Sequence, residues 1–472
     1  MFVVAACAGV VLSATVASGR PILATRWRLL WELAGWAVTW VVAVVAALRL
    51  PRRFAVVAIV AAGVALRIAA LAGPPTTSDD LYRYSWDGRV QASGIDPYAN
   101  APSSPALVGL RDGWLWPNAT GCAALHRPVG CTRINRPAER TIYPPVAEAW
   151  FAGVFRIAGI GAKHKAWQVA GVVTELGVLA LLPVTLRRWG RDPRWTALYA
   201  LSPAPVLEVV NNGHVDGLAV LCIVAALGVA AGSTSRWRDV AVGALIGAAA
   251  MVKIYPAVLV VAFGAAGGAL GVASDNASGV RRFGSLARVA ATAAAFSGLA
   301  YLPHVVRVGS RVLGYLPGYL REEHYRTGGR FLLAGLLHLP HSLAGPASAV
   351  AVAAVVVWVV LERPSAPVGA CVLIGAVLLA TSPIQPWYAV TLLALATVAA
   401  MPWWAAVLAA GYPYFFAVIL DDRHATGLGQ AAYAVAFAVM AVGCRSTVMY
   451  FRTTGSPLRE ITATDESFQQ ET

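Results

Sequence analysis

The stretch TTSDDLYRYSWDGRVQASGIDPY, residues 76–98, places two adjacent carboxylates, Asp79 and Asp80, directly after an apolar run. One acid there reads as a cap, because Ser or Asp side chains accept backbone N–H bonds at a helix start. The second acid needs another use. A carboxylate at a membrane boundary, among aromatic rings and shielded from water, can serve as a general base. Asp96, in the turn after Gly94, reads as structural. Four further polar intrusions interrupt apolar sequence. NNGHVDG (211–217) brings Asn211, Asn212, His214 and Asp216, either as a plain interhelical turn capped by Asp216 or as a turn whose His214 touches substrate. AAMVKIYPAV sets Lys253 between two apolar segments where Pro256 breaks the helix. An ammonium at membrane depth costs about 3 kcal/mol unless paired or wet, so Lys253 either snorkels or holds a phosphate. GYLREEHYRTGGRF (318–331) gathers Arg321, Glu322, Glu323, His324, Arg326 and Arg330 around a Gly-Gly hinge. That is a solvated loop, or a lid carrying cations to an anionic leaving group. SPIQPWY (382–388) offers Trp387 and Tyr388 as interface anchors and Gln385 as a hydrogen-bonding partner for a hydroxyl-rich ligand.

The elements that must position these residues are membrane helices. The 472-residue chain is 58% hydrophobic and 13% charged, with mean hydropathy +0.64. A soluble globule carries about 25% charged residues, so an all-α polytopic membrane protein is expected. Apolar runs near the length that spans a ~30 Å hydrocarbon core recur. They cover 2–19, 29–49, 54–73, 166–186, 195–210, 215–232, 239–252, 254–272, 286–303, 346–361, 367–382, 387–401, 403–420 and 428–444. Two abut at Lys253, and the expectation is about 12–14 transmembrane helices. The first run lacks a basic start and a second span follows closely, so it reads as an anchor, not a signal peptide. The net charge of +14 places arginines beside spans facing anionic lipid and does not call for nucleic acid. Lysine is confined to Lys163, Lys165 and Lys253, which with the Ala-rich spans reads as a GC-rich bacterial genome.

Arginine clusters set the orientation. Taking Arg187, Arg188, Arg191 and Arg194, then Arg236 and Arg238, then Arg281, Arg282 and Arg288, and the tail Arg445, Arg452 and Arg459 as cytoplasmic puts residues 74–165 outside. NNGHVDG, the 304–330 loop, SPIQPWY and LDDRHATG then share that face, provided 144–161 and 331–341 are re-entrant or in-plane helices. A single domain over 1–444 is expected, with 74–165 as an external loop, 304–345 as a second external loop and re-entrant helix, and 445–472 as a disordered cytoplasmic tail. The connection at 74–143, about seventy residues against the usual ~4–6, is expected to carry function. Tyr82, Tyr84, Trp86, Trp114 and Trp116 argue that it is folded. Cys122 and Cys131 share it, and an oxidising exterior would join them as a disulfide. The other cysteines, Cys7, Cys222, Cys371 and Cys444, read as packing residues. No zinc-type spacing, Walker loop, GxSxG or Rossmann fingerprint occurs, so the energy must come with the substrate or a gradient.

Read in order, SDDLYRYSWDGRVQASGIDPY, IYPPVAEAWF, LSPAPVLEVVNNGHVDGLAV, KIYP, GYLREEHYRTGGRF and SPIQPWY give a resemblance over roughly residues 54–420. The chain resembles GT-C membrane glycosyltransferases. More closely, it is similar to glycosyltransferase family 87 and related polyprenol-phosphate-mannose-dependent mannosyltransferases of actinobacteria. The resemblance implies a polyprenyl-phosphate-mannose donor, a glycolipid or glycan acceptor hydroxyl at the external face of the plasma membrane, and inversion at the anomeric carbon. It implies an acidic general base in the first large external loop: Asp80 with Asp79 in support, or the reverse. Cations are expected at the departing phosphate, with Lys253 and Arg330 first and His324, Arg326 and Arg89 behind them. Tyr84, Asn212, His214, Gln385 and Tyr388 are the candidates for sugar or acceptor hydroxyls. A divalent metal on the paired acids is not favoured, and no cofactor is expected. The rival readings are another lipid-linked donor (arabinofuranose or glucose), a lipid or sugar transporter with Asp79, Asp80 and Lys253 as relay groups, and an inactive scaffold.

Overall fold

The computed structural model describes residues 1–19, 22–161, 163–232, 235–265, 279–325, 327–328, 331–332, 334, 337–419 and 426–454. Among these, every regular element is helical, the form that satisfies backbone N–H and C=O groups without water. Six helices are long and apolar enough to cross a membrane: Thr25–Leu48, Arg52–Ala72, His164–Arg188, Gly284–Glu322, His341–Glu362 and Gly427–Arg445. A seventh candidate is a broken pair, Pro205–Asn211 with Asp216–Ala230, bent by 120°.

Those six coincide with expected spans, but the other apolar runs behave differently. The run at 195–210 is not one helix; it divides into Pro193–Trp195, Thr196–Ala200 and Pro205–Asn211. Pro203 and Pro205 each lack the N–H that a continuous helix would use. Phe2–Ala17, Arg236–Ala250, Ala366–Ala380, Ala389–Ala399 and Ala405–Tyr414 are too short to span alone. Every residue of Ala389–Ala399 is buried in protein, so that run is apolar because it is core. Of 254–272, the described part forms Tyr255–Val258 and Leu259–Ala265.

Two boundaries also move. The span expected at 286–303 continues to Val308 and, through short helical turns, to Glu322, so much of the expected 304–330 loop is helical. Gly309 and Gly314, at φ +60° and +51°, break the helix along that stretch. The last helix, Thr426–Thr454, runs past the expected tail boundary at 445. Residues 455–472 and most of LDDRHATG lie outside the described residues.

Burial separates an inner and an outer set. The most apolar window of His164–Arg188 is 50% buried, whereas those of Gly284–Glu322 and His341–Glu362 are 11% buried. The last two expose Leu299, Leu302, Val306, Val350 and Val357, as lipid-facing helices do. Inside, Arg67 and Glu175, both fully buried, form an ion pair at 2.6 Å. Tyr199 Oη donates to the same carboxylate at 2.7 Å, and Arg67 donates to the Ala200 carbonyl at 2.8 Å.

The long connection is folded. Its helix Asp80–Ala92 buries Leu81, Tyr84, Trp86 and Val90 together with Arg83, Asp87 and Arg89. Trp86, Val90, Leu107, Leu115 and Ile134 make a small core of their own. The helix Pro145–Ala158, 14 residues long and too short to cross, packs against it. Gly88 permits the approach: a Cβ there would lie 2.5 Å from the Phe151 carbonyl oxygen. The Cys122–Cys131 disulfide is formed, with Cα atoms 5.8 Å apart.

Candidate active site

Asp79 occupies the cap position of the Asp80–Ala92 helix, yet its side chain caps nothing. Ser78 Oγ accepts the Asp80 N–H instead, at 3.2 Å. Both carboxylates are therefore turned to other partners. Asn135 Nδ2 bridges them, donating to Asp79 Oδ1 at 3.1 Å and to Asp80 Oδ1 at 2.6 Å. Asp80 Oδ2 accepts from Tyr143 Oη at 3.2 Å and lies 3.7 Å from His214 Nδ1. Asp79 faces Arg127 at 4.0 Å. The Asp79 side chain is 42% exposed and that of Asp80 19%. Protein crowding, and after it the neighbouring Asp80 charge, raises the Asp79 carboxyl above its ordinary range, against the pull of Asn135 and Arg127.

The bent pair supplies the next layer. Gly213, at φ +70°, turns the chain through the left-handed region that favours glycine, beside Trp167 and Leu81. Asn211 and Asn212 then staple the segment leading into the acids. Asn211 Oδ1 accepts from Thr76 N at 3.0 Å, and Asn212 Oδ1 accepts from Thr77 N at 3.1 Å. Asn212 Nδ2 donates to Thr77 Oγ1 and, at 3.0 Å, to Glu208 Oε2. His214 is fully buried and stacks on Trp387, with ring centroids 4.3 Å apart.

Lys253 enters from the opposite wall. The Met251 carbonyl accepts the Val146 and Ala147 N–H groups at 3.0 and 3.2 Å, docking the start of Pro145–Ala158 on the lysine's own turn. Lys253 Nζ lies 3.4 Å from Asp216 Oδ2 and 5.1 Å from the ring centroids of both Tyr143 and Tyr388. Tyr143 thus touches the acid through its hydroxyl and the ammonium through its ring. Tyr84 packs edge-on to Tyr143, with centroids 5.0 Å apart, and stacks on Phe151. Gln385 is buried with Oε1 unpartnered among the described residues.

The structure accordingly brings together Asp79, Asp80, Tyr84, Asn212, His214, Lys253 and Tyr388. Arg89 is elsewhere: it pairs with Asp112 and donates to the Leu110 carbonyl at 2.9 Å, inside the loop's own fold. His324 is exposed at a left-handed turn, φ +55°, beside a Glu322 that pairs with Arg136. Arg326 and Arg330 lie outside the described residues. Among the described residues no three His, Cys, Asp or Glu side chains converge as a metal cage. Glu208, Tyr143 and Asn135 join the cluster without having been singled out. For Glu208 the signal was present, since a carboxylate inside an apolar run is by default functional.

The family model of glycosyltransferase family 87 matches residues 141–383, just over half of the chain. The chain belongs to glycosyltransferase family 87. The protein is a multi-pass membrane glycosyltransferase with the all-helical architecture of the GT-C type. The matched region contains Tyr143, Glu208, His214, Asp216 and Lys253, and it begins after Asp79 and Asp80. No curated protein matches the chain, and no solved structure does.

Proposed function

We propose that this family 87 enzyme transfers mannose from polyprenyl-phosphate-mannose to a hydroxyl of an envelope glycolipid or glycan, at the external face of the plasma membrane and with inversion. One observation carries the reading: Tyr143 bonds Asp80 at 3.2 Å and presents its ring to Lys253 at 5.1 Å. A base and a cation thus lie against the two parts of one tyrosine side chain. In-line displacement needs both, one for the attacking hydroxyl and one for the departing phosphate. The acceptor O–H breaks and its proton goes to Asp80. The acceptor oxygen bonds to the anomeric carbon, and the bond to the phosphate oxygen breaks with its electron pair. Lys253 exchanges Asp216 for the phosphate as that charge develops. A β-linked donor gives an α-mannoside. Asp79 and Asn135 hold the Asp80 carboxylate in place, and neither a metal nor a nucleotide is invoked.

The test is transfer of radiolabelled polyprenyl-phosphate-mannose into membrane glycolipid by the reconstituted protein. D80N should lower kcat by about 10²–10⁴ while the protein still inserts and purifies. EDTA should leave the rate unchanged. Wild-type transfer by D80N would sink the base assignment. Label arriving only from another polyprenyl-phosphate sugar would overturn the choice of mannose.

A further inference from the structure

His214 occupies an unusual position. It is fully buried, and neither ring nitrogen has a hydrogen-bond partner among the described residues. Nδ1 faces Asp80 Oδ2 and Nε2 faces Glu208 Oε2, each at 3.7 Å. A buried polar group left unbonded costs free energy, so this ring is placed for a partner that arrives during turnover. Glu208 is itself fixed. Tyr412 Oη donates to Oε1 at 2.9 Å and Asn212 Nδ2 to Oε2 at 3.0 Å, while the His214 backbone N–H donates to the Glu208 carbonyl at 3.0 Å. Asp80 is fixed by Asn135 and Tyr143. The three groups form a carboxylate–imidazole–carboxylate row leading inward from the acceptor side.

We infer that His214 is a proton-accepting positioning residue: it takes, through Asp80, the proton that the acceptor hydroxyl releases, and Glu208 holds the ring in the tautomer able to accept it. The inference rests on Asp80 being the base. With Nε2–H directed at Glu208, Nδ1 carries a lone pair towards Asp80. In the resting enzyme that sets one acceptor against another and gains nothing. Once the acceptor's proton reaches Asp80, the pair becomes donor and acceptor, and the 3.7 Å gap can close by about 0.8 Å to hydrogen-bonding distance. The interaction is made only as the reaction proceeds, which is the kind that accelerates chemistry. Passage of the proton to Nδ1 leaves an imidazolium between two carboxylates and restores the Asp80 anion. Release of product and loss of that proton to water through Asp80, whose side chain is 19% exposed, resets the row. The charged groups facing His214 are Asp80 from the loop helix, Glu208 from its own bent pair and Lys253 from the opposite wall. Trp387 covers the ring's face without charge.

The experiment is steady-state transfer kinetics, kcat and donor KM, for the full-length protein in nanodiscs. It uses radiolabelled polyprenyl-phosphate-mannose and an envelope lipid extract as acceptor, with wild type, H214N, H214A, E208Q and D80N compared. H214N should lose about 10- to 100-fold in kcat with the donor KM within twofold. E208Q loses the carboxylate that faces Nε2, so its kcat should fall about tenfold with the donor KM again within twofold. Added imidazole should restore part of the H214A rate and none of the D80N rate. E208Q with the wild-type rate overturns the inference, as does H214A unmoved by imidazole. If H214N fails to accumulate, E208Q decides alone. Full activity of D80N would instead remove the base reading itself, a separate outcome.

Discussion

Asp79 and Asp80 are neighbours with different electrical surroundings, and the difference sorts their roles. Asn135 donates to both, but Asp80 also meets Tyr143 and His214, whereas Asp79 faces Arg127 and is the more exposed. The Asp79 carboxyl is raised, so its ionisation costs folding stability above the ordinary carboxylate range and does so increasingly until it titrates. D79N therefore should not lower Tm at pH 7. It should keep most of the rate that D80N loses. A D79N loss equal to that of D80N would reverse the assignment. Lys253 separates function from stability in a similar way. Its removal strands Asp216, which is fully buried, and breaking such a pair costs about 3–5 kcal/mol. K253M should lose stability and activity together; K253M/D216N should recover Tm in thermal melts and stay inactive. The sequence made Asp79, Asp80 and Lys253 legible because each is a charge in apolar surroundings. Asn135 and Tyr143 were not, since a contact 55 or 63 residues away leaves no local trace and both residue types are ordinary in loops.

Among elements, the Asp80–Ala92 and Pro145–Ala158 pair sets the position of the acids relative to Lys253. Gly88 lets the two helices meet at the Phe151 carbonyl. G88A should force them apart at a cost of about 1–3 kcal/mol, and the same displacement should lower kcat more than donor KM. Between the helices lies a buried acid pair, Asp87 and Glu148. Arg83 holds Asp87 at 2.9 Å, and Glu148 accepts from Thr141 at 2.6 Å and from Gln91 at 2.8 Å. Burial first, then the Asp87 charge, raises the Glu148 carboxyl well above its ordinary value. A carboxyl raised on folding favours the folded state at low pH relative to high pH. The penalty opens above about 4.5 and grows until Glu148 ionises. E148Q should thus gain Tm over wild type by more at pH 8.5 than at pH 5.5; an equal difference at both pH values would show that Glu148 is not held neutral. Helix identity was readable from apolar run length, but helix environment was not. Ala389–Ala399 and His341–Glu362 are both apolar, yet one is wholly covered by protein and the other largely bare. Hydropathy reports distaste for water and does not say whether lipid or protein replaces it.

At the scale of the whole molecule, the His164–Arg188 helix runs between the acids and one arginine cluster. Near its start Lys165 donates to the Gly73 carbonyl at 3.1 Å, beside the segment that leads into Asp79 and Asp80. Near its end Arg188 donates to the Gly228 carbonyl at 2.9 Å. Arg238 and Arg288 close on Asp239 beyond the far end of the 216–230 helix. The acids and the arginine cluster therefore sit at opposite ends of a span about 37 Å long. The proposed external face for the acids goes with arginine on the cytoplasmic side and with an oxidising compartment around the Cys122–Cys131 bond. In cells carrying the protein with Cys7 and Cys444 replaced by serine, A138C should react with a membrane-impermeant maleimide from outside, and R236C only after permeabilisation. Both positions are exposed to solvent or the membrane surface, so accessibility within the fold does not limit either. The reverse labelling pattern would place the acids in the cytoplasm, where a nucleotide-linked sugar is as available as a lipid-linked one, and the external donor would then have to be abandoned. Labelling as expected leaves a lipid-linked donor as the class of activated sugar that reaches Asp80 and Lys253 without crossing the membrane as a free nucleotide sugar.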